Sequence, residues 1–143
     1  MEILKSPTLR FPEFEGAWEN KKLSEVAEIN RGKSKHRPRN AGFLYGGIYP
    51  FVQTGDIKEA GLYLTTFSQT YSEAGLKQSK LWEIDTLCIT IAANIAETSI
   101  LKIKACFPDS IIGLIPKASE TIVLFVKYQF DKYKLEIQRL SVV

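Results

Sequence analysis

The stretch LCITIAANIAETSILKIKACFPDSIIGLIP, residues 87–116, decides the fold of this chain. Its first run is short, apolar and rich in β-branched residues, which favours a buried strand, although such a run also fits a buried helix. The next run mixes apolar residues with Lys102 and Lys104, as in a strand with one solvent-exposed face. The third run is apolar again and stops at Pro116, which cannot donate to a sheet ladder. Because turn residues separate the runs, we predict three strands arranged as a meander.

Length and composition limit the class of protein. The 143 residues fit a single domain, which we expect to span residues 1–143, and 45% hydrophobic residues are enough for a core. A net charge of +3 is too small by itself to indicate a nucleic-acid-binding protein. The N-terminus lacks the apolar core of a signal peptide, and no run approaches the roughly 18 apolar residues of a membrane span. The sequence therefore predicts a cytoplasmic protein.

The cysteines and the histidine do not form a metal-binding pattern. Cys88 and Cys106 lie on predicted strands, no CxxC spacing occurs, and His36 is the only histidine. Zinc sites combine several cysteine and histidine ligands at characteristic spacings. We therefore expect two small buried thiols in a reducing compartment and no metal site.

Residues 1–19 are expected to form an extended arm over the core, because two prolines and a glycine interrupt any regular element there. Asn20 can cap a short helix over residues 23–27, and a strand would run from Ile29 to about Gly32. The arm has four large apolar side chains with which to attach: Leu9, Phe11, Phe14 and Trp18.

The strongest signal is a row of cations at every second position of residues 31–39, a segment that we name the basic ribbon. Pro38 excludes a helix interior, and an extended chain places alternate side chains on one side, about 6.6 Å apart. These five charges leave a net charge of −2 for the rest of the chain, from a total of +3. A polyanionic backbone is the natural partner of such a row, although a solvated loop has the same composition. The five cations are Arg31, Lys33, Lys35, Arg37 and Arg39.

The segment after the ribbon combines glycines, aromatic residues and a turn signal. Residues 42–47 are predicted to form a flexible loop, in which Tyr45 can stack on a base or pack in the core. A short strand would end in a turn at residues 54–56. Gln53 can pair with adenine through its amide. Asp56 is expected to cap a turn or a helix, because no second carboxylate or histidine stands at a catalytic spacing.

The second half of the chain contains further strands, a basic turn and a terminal helix. Residues 58–71 are predicted to form a strand and a loop, and residues 72–80 a turn that presents Lys77 and Lys80. Residues 120–140 predict a helix. Its apolar seam fits an amphipathic helix on its own sheet or a short coiled-coil contact with a partner. The seam consists of Val126, Phe130, Tyr133, Ile137 and Leu140.

Several short motifs follow one another in a characteristic order. They are LRFPEFEGAWE at 9–19, KLSEVAEI at 22–29, YPFVQTGDI at 49–57, SEAGL with Ser79 at 72–79, ANI at 93–95, CFPDS at 106–110 and PK at 116–117. In this order and spacing, and over most of the chain, they resemble the DNA specificity subunit of type I restriction–modification systems.

The resemblance implies an α+β target recognition domain with a mixed, curved β-sheet and a few helices. In that family a full subunit has two such domains, each reading one half of a split DNA site and each followed by a long spacer helix. The implied partners are double-stranded DNA, the modification subunits, which are DNA methyltransferases, and a restriction/translocase subunit, with no membrane contact. S-adenosylmethionine, ATP and Mg are implied in those partner subunits, while this chain would hold no cofactor and catalyse no reaction.

Two features depart from the family pattern. Ala96 stands where the family usually has glycine after Asn-Ile, so the central turn is expected to differ in shape. The proline-rich segment and the spacer helix are missing. Residues 120–140 would therefore match the helix inside the recognition domain, and the chain would be one domain truncated before the spacer.

The resemblance also sorts the candidate site residues, because a motif shared by subunits that read different sequences cannot itself read the sequence. Structural turns or backbone contacts are expected from Thr54, Gly55, Asp56 and Asn94. Phosphate contacts are expected from Arg31, Lys33, Lys35, Lys77 and Lys80. Base reading is expected within residues 35–49 and 63–71. The candidate base readers, which include Gln53 outside these two regions, are Arg37, Arg39, Asn40, Tyr45, Gln53 and Gln69.

Two other functions fit the same sequence. The chain can be the recognition domain of a related DNA adenine methyltransferase whose catalytic domain has been removed. It can also be a protein-interaction module that uses the apolar seam of residues 126–140. Salt-dependent binding to duplex DNA separates the DNA-binding functions from the last one.

Overall fold

The described part of the chain contains four helices and seven strands. The computed structural model describes residues 22–92 and 94–141, so the predicted arm at residues 1–19 and the predicted cap Asn20 lie outside the described residues. The helices are α1 (Leu23–Val26), α2 (Thr54–Ala60), α3 (Glu73–Lys77) and α4 (Val123–Ser141). The strands are β1 (Ala27–Arg31), β2 (Tyr45–Phe51), β3 (Tyr63–Leu64), β4 (Gln69–Tyr71), β5 (Leu87–Thr90), β6 (Thr98–Leu101) and β7 (Ile111–Pro116).

Strand β5 lies in the middle of the larger sheet and is buried on both faces. All four of its residues are buried, as its apolar composition predicts. The strand order is β1-β7-β5-β6-β3, with β5 antiparallel to both neighbours and β3 parallel to β6. A sheet with parallel and antiparallel pairs, covered by helices, confirms the predicted mixed α+β fold.

The predicted meander is wrong, although its three strands exist. Strand β7 does not pair with β6 but crosses to the opposite edge of β5. The connection over residues 102–110 is longer than a hairpin turn. Within it, Ala105 and Cys106 form bridges with Trp82 and Phe51, so the connection passes across the end of the sheet.

The solvent-exposed face predicted for the second strand is also wrong. All four residues of β6 are buried, and Lys102 and Lys104 lie beyond its end, where they are exposed. Helix α4 covers this strand, since Thr98 Oγ1 donates to the Asp131 carboxylate at 2.6 Å. The strand is therefore shorter and more enclosed than its alternating sequence suggests.

A second, two-stranded sheet of β2 and β4 replaces the flexible loop predicted at residues 42–47. After a 3₁₀ turn at Gly42–Leu44, a bulge in β2 places both Tyr45 and Tyr49 opposite Tyr71. Gly46 has a φ of 89° in this bulge, a conformation that glycine adopts without steric cost. The glycines of this segment therefore shape a strand instead of loosening a loop.

The turn predicted at Thr54, Gly55 and Asp56 is wrong, because these residues form the first turn of α2. Gln53 caps the helix: its side chain accepts the backbone N–H of Asp56, and its own N–H donates to the Asp56 carboxylate at 2.9 Å. Such reciprocal capping satisfies N–H groups that have no partner within a helix. The predicted capping role of Asp56 is therefore confirmed.

The turn predicted at residues 72–80 is largely helical. Ser72 Oγ accepts the backbone N–H of Gly75 at 3.3 Å and so caps α3. Gly75 is buried, and a Cβ there would lie 2.2 Å from the Leu44 carbonyl oxygen, so only glycine permits this close packing. Helix α3 therefore packs tightly against the smaller sheet.

Helix α4 packs on its own sheet, in agreement with the amphipathic interpretation. Val126 is 4% exposed and joins Phe130 in the core between helix and sheet. Tyr133 and Leu140 of the predicted seam are 45% and 81% exposed. The buried stripe instead includes Lys127. Its ammonium forms an ion pair at 2.6 Å with the carboxylate of Asp131, one helical turn further on. Across residues 22–92 and 94–141, no helix combines the length and hydropathy needed to cross a membrane.

In the turn between β5 and β6, residue 96 has a left-handed backbone conformation although it is an alanine and not a glycine. Ala96 has a φ of 66°, and its N–H donates to the Thr90 carbonyl oxygen at 2.9 Å. A side chain in this region costs about 1–2 kcal/mol relative to glycine. Ala96 therefore adopts a backbone conformation that favours the glycine of the family pattern.

Candidate nucleic-acid interface

The basic ribbon is extended over residues 31–36 only, where exposed cations alternate with more buried residues. Residues 37–38 form a bend and residues 39–40 a turn, so the extended conformation predicted for the whole of residues 31–39 is wrong at the end that carries Arg37 and Arg39. All five cationic residues are exposed, whereas Gly32 and Ser34 between them are buried. The N–H groups of Gly32 and Lys33 donate to the carbonyl oxygens of Ile111 and Phe107 at 2.8 and 3.0 Å. A Cβ at residue 32 would lie 2.2 Å from a backbone oxygen, so the ribbon can approach the body this closely only with glycine. The backbone of the ribbon is thus fixed, and its cations face solvent.

The end of α3 lies against the ribbon and brings two more lysines to it. The N–H of Lys35 donates to the Gln78 carbonyl oxygen at 3.2 Å, and Ser79 Oγ donates to the Lys33 carbonyl oxygen at 2.6 Å. The lysines on either side of this contact are exposed. No carboxylate among the described residues forms an ion pair with the resulting group. We name this group the lysine cluster: Lys33, Lys35, Lys77 and Lys80.

Lys80 of this cluster also contacts the protein, since its Nζ lies 4.0 Å from the centroid of the Trp82 ring. The arginines of the ribbon are held more directly, by hydrogen bonds to other residues. Arg39 Nη2 donates to the Asp109 carboxylate at 2.9 Å, and Arg31 Nε donates to the Asp109 main-chain carbonyl at 3.2 Å. Arg37 Nη1 donates to the carbonyl oxygens of two preceding ribbon residues at 2.7 and 3.0 Å. Because a guanidinium has five N–H donors, each arginine retains donors for a ligand while its position is fixed.

A cavity of about 180 Å³ opens beside the end of the ribbon that carries Arg37 and Arg39, which we name the arginine end. Arg39, Tyr45, Gln53 and Thr54 are among its lining residues. Tyr45 donates its hydroxyl to the Arg39 carbonyl oxygen at 2.5 Å. Burial, followed by the charge of the neighbouring Tyr71, raises the pKa of Tyr45 above its ordinary value, so this phenol remains protonated. The cavity therefore presents a guanidinium, an amide and hydroxyl groups.

Gln53 of the cavity lining contacts Gln69, the other glutamine of the predicted base-reading set. Gln53 Nε2 donates to Gln69 Oε1 at 2.7 Å. Asp56 supports the pair, since its Oδ2 accepts both the Gln53 N–H at 2.9 Å and the Ser68 hydroxyl at 3.2 Å. The carboxylate thereby joins the start of α2 to the residue before β4, which fixes the two glutamines relative to one another.

The other predicted residues lie at the edges of this region or outside it. Asn40 is exposed at the end of the ribbon, and Gly55 is exposed in the first turn of α2. Asn94 lies in the turn between β5 and β6, where it accepts a hydrogen bond from Lys58 Nζ at 3.4 Å. Asn94 thus contacts α2 instead of the ribbon. Within the described ranges no three His, Cys, Asp or Glu side chains converge on a metal site.

Three residues that hold the ribbon in place have no signal in the sequence that assigns them to it: Asp109, Gln78 and Ser79. Asp109 lies 70 and 78 positions from the two arginines that it contacts. Gln78 and Ser79 are short polar residues after a helix, with no local pattern that assigns them to the ribbon. Such contacts follow from the tertiary fold, so sequence spacing alone does not reveal them.

The comparisons with known proteins agree with this architecture. The HsdS subunit from Thermoanaerobacter tengcongensis has a similar fold, with a TM-score of 0.70 and 18% sequence identity over 98% of this chain and 33% of that chain. A chain in a structure concerned with complex assembly and conformational transition of the type I R-M system has a TM-score of 0.67 and 20% identity, over 94% of this chain and 31% of that one. The present chain spans about a third of the length of these solved chains.

A family description then assigns the chain. The model of the type I restriction modification DNA specificity domain matches residues 15–142, which is nearly the whole chain. The family resemblance expected from the order of the sequence motifs is thereby confirmed. The chain belongs to the type I restriction modification DNA specificity domain family.

Proposed function

We propose that this domain binds duplex DNA and reads one half of a bipartite site as the specificity component of a type I restriction–modification system. The observation that carries the proposal is the first part of the basic ribbon, where exposed cations at residues 31, 33 and 35 alternate with buried Gly32 and Ser34 on a backbone held by hydrogen bonds. A row of fixed charges can contact successive phosphates without a further loss of backbone freedom on binding. Membership of a DNA specificity family supports the same function.

In this proposal the two ends of the ribbon have different tasks. The lysine cluster and Arg31 contact phosphates, which positions the duplex but carries no sequence information. Base edges are read beside the cavity, which Arg39 and Gln53 line and next to which Gln69 is bonded to Gln53. The remaining candidate readers border this region: Arg37, Asn40 and Tyr45.

The domain is proposed to catalyse no reaction itself. Modification subunits would bind S-adenosylmethionine and methylate the DNA, and a restriction/translocase subunit would use ATP and Mg. The specificity-domain family supports this division of labour. Asp56 is engaged in helix capping, which is a structural role. Purified alone, the chain is expected to transfer no methyl group from S-adenosylmethionine to DNA.

The test is a selection from randomised duplexes with the full chain at low salt, followed by sequencing of the retained DNA. We expect enrichment of one short pattern, with an affinity near the non-specific range of about 10⁻⁴–10⁻⁶ M because a single half-site is bound. Retention of DNA without any enriched pattern would contradict sequence reading. Nanomolar binding to one short site would instead favour the recognition domain of a related methyltransferase.

A further inference from the structure

The capping of α2 fixes the orientation of the Gln53 amide. The backbone N–H of Asp56 donates to the Gln53 side chain, and only the amide oxygen can accept it. The backbone N–H of Gln53 is itself held by the Asp56 carboxylate at 2.9 Å. An amide group can normally be turned by 180°, and the hydrogen-bond network decides its orientation. Here the helix cap directs Nε2 of Gln53 away from the helix.

This orientation determines that of Gln69 in turn. Nε2 of Gln53 donates to Gln69 across 2.7 Å, and only Oε1 of Gln69 can accept the bond. Nε2 of Gln69 therefore keeps both of its N–H donors, and Oε1 keeps a second lone pair. Gln69 also has a fixed backbone, because it pairs with Phe51 in the smaller sheet.

An amide with a free donor and a free acceptor side by side matches one base. In the major groove, adenine presents its N7 acceptor beside its N6 donor, and a glutamine amide can bond to both. Gln69 is exposed, whereas Gln53 is half-buried and both ends of its amide are engaged. Of the two glutamines, Gln69 is therefore the one that can meet a base.

We propose that Gln53 is a positioning residue that holds the Gln69 amide to read one adenine of the half-site. The inference rests on the proposed function, because it assigns one contact within the proposed DNA interface. Gln53, which the sequence predicts to be a base reader, would instead hold the side chain of Gln69 in position. Arg39, which lines the same cavity as Gln53, places this adenine next to the arginine end of the ribbon.

The test uses the full chain and the duplex recovered from the randomised selection. Each adenine of that duplex is replaced in turn by 7-deazaadenine, which removes the N7 acceptor and preserves base pairing. We expect one position at which the unchanged protein loses affinity by about 5- to 150-fold. Gln69→Ala should bind the normal and substituted duplexes equally at that position, and should leave the effects of the other positions unchanged.

The decisive variant is Gln53→Ser. Serine can still cap α2 through its hydroxyl, so the helix is preserved, but it is too short to donate to Gln69. We expect a thermal midpoint close to that of the unchanged protein, together with a several-fold smaller effect of 7-deazaadenine at the same position. In the double variant with Gln69→Ala, no further discrimination should be lost, because the two residues act on one contact.

Three results would overturn the inference. The first is full discrimination by Gln53→Ser at the Gln69 position. The second is a Gln69→Ala variant that changes the preference at no position. The third is a uniform loss of affinity across all positions in either variant, which indicates a structural role only. If the unchanged protein selects no sequence at all, the proposed function itself fails, and that outcome is distinct from these three.

Discussion

The two parts of the basic ribbon carry the same charge at the same spacing, but the fold treats them differently. Lys33 and Lys35 form no ion pair with any described carboxylate, and two exposed lysines lie beside them, Lys77 at the end of α3 and Lys80 shortly after it. Arg31 and Arg39 both bond to Asp109. In the proposed function, the lysine cluster and Arg31 therefore supply attraction to DNA, whereas Arg39, which the Asp109 carboxylate holds in position, would discriminate between bases.

The largest effect is expected from neutralising the lysine cluster. The variant with glutamine at all four positions should lose affinity by about tenfold per lost phosphate contact at 0.1 M salt, because fewer counterions are released. The slope of log affinity against log salt should fall in magnitude by roughly 0.9 per contact. The measurement is fluorescence anisotropy with a labelled duplex over a series of salt concentrations.

A matched control changes four exposed lysines outside the ribbon and α3. The variant Lys22→Gln, Lys104→Gln, Lys117→Gln and Lys132→Gln removes the same total charge. It should keep most of the affinity and the salt slope. Equal losses in the two quadruple variants would show that net charge alone matters, and would remove the distinction between the lysine cluster and the rest of the surface.

The next effect is expected from Asp109, the carboxylate that holds Arg39 at the arginine end of the ribbon. Asp109→Asn should tighten non-specific binding up to about tenfold at low salt, because a negative charge near the duplex is removed. It should also weaken the enriched sequence pattern, because Arg39 loses the carboxylate that orients it at 2.9 Å. Stability should change by less than about 1 kcal/mol, as this ion pair is exposed. Selection from randomised duplexes measures both effects.

Asp85→Asn is the control for this prediction. Asp85 is exposed and pairs with Lys102 at 2.7 Å, so the change removes a similar ion pair elsewhere on the surface. The sequence pattern selected by this variant should be that of the unchanged protein. If Asp109→Asn also selects the unchanged sequence pattern, the proposed division between the lysine cluster and the arginine end of the ribbon is wrong.

A smaller effect is expected from Ser79, which attaches the lysine cluster to the body. Ser79→Ala removes the 2.6 Å hydrogen bond to the Lys33 carbonyl oxygen and should destabilise the protein by about 0.5–1.5 kcal/mol. Affinity for DNA should fall only a few-fold, with little change in salt slope, because no charge is lost. Thermal unfolding measures the loss of stability, and fluorescence anisotropy with a labelled duplex measures the change in affinity.

The smallest effect on DNA binding is expected from Ala96, which lies outside both parts of the ribbon. Ala96→Gly relieves a φ of 66° and should raise stability by about 1 kcal/mol, or the melting temperature by about 3 °C. Ala105→Gly is the control, because Ala105 is fully buried and has no positive φ. Glycine at this position should destabilise the protein. A change in DNA affinity in Ala96→Gly would place the β5–β6 turn in the interface.

The ribbon also illustrates what sequence can and cannot predict. Its alternation of exposed cations with buried Gly32 and Ser34 follows from local chain geometry, so a period of two is sufficient. The division between lysines and arginines depends on Asp109, which is distant in sequence. Similarly, the burial of β5 follows from composition, whereas the position of β7 depends on a connection that passes Trp82 and Phe51.

Short helices were the other difference between prediction and structure. Helices α2 and α3 are too short for apolar periodicity to be visible, and isolated helices of this length are unstable. They form because capping by Gln53 and Ser72 and packing against the sheets stabilise them. The small and polar residues that suggested turns, at 54–56 and 72–80, therefore lie in or beside the first turns of capped helices, and the choice between turn and helix depends on tertiary contacts.

The central claim is that this domain reads half of a bipartite site. Two copies joined by a long helical linker are titrated with duplexes that carry two selected half-sites, with the separation changed one base pair at a time. We expect binding tighter than that of the single domain by about 10²- to 10⁴-fold, and only at separations that let both copies bind together. Tightening that is the same at every separation would contradict the claim.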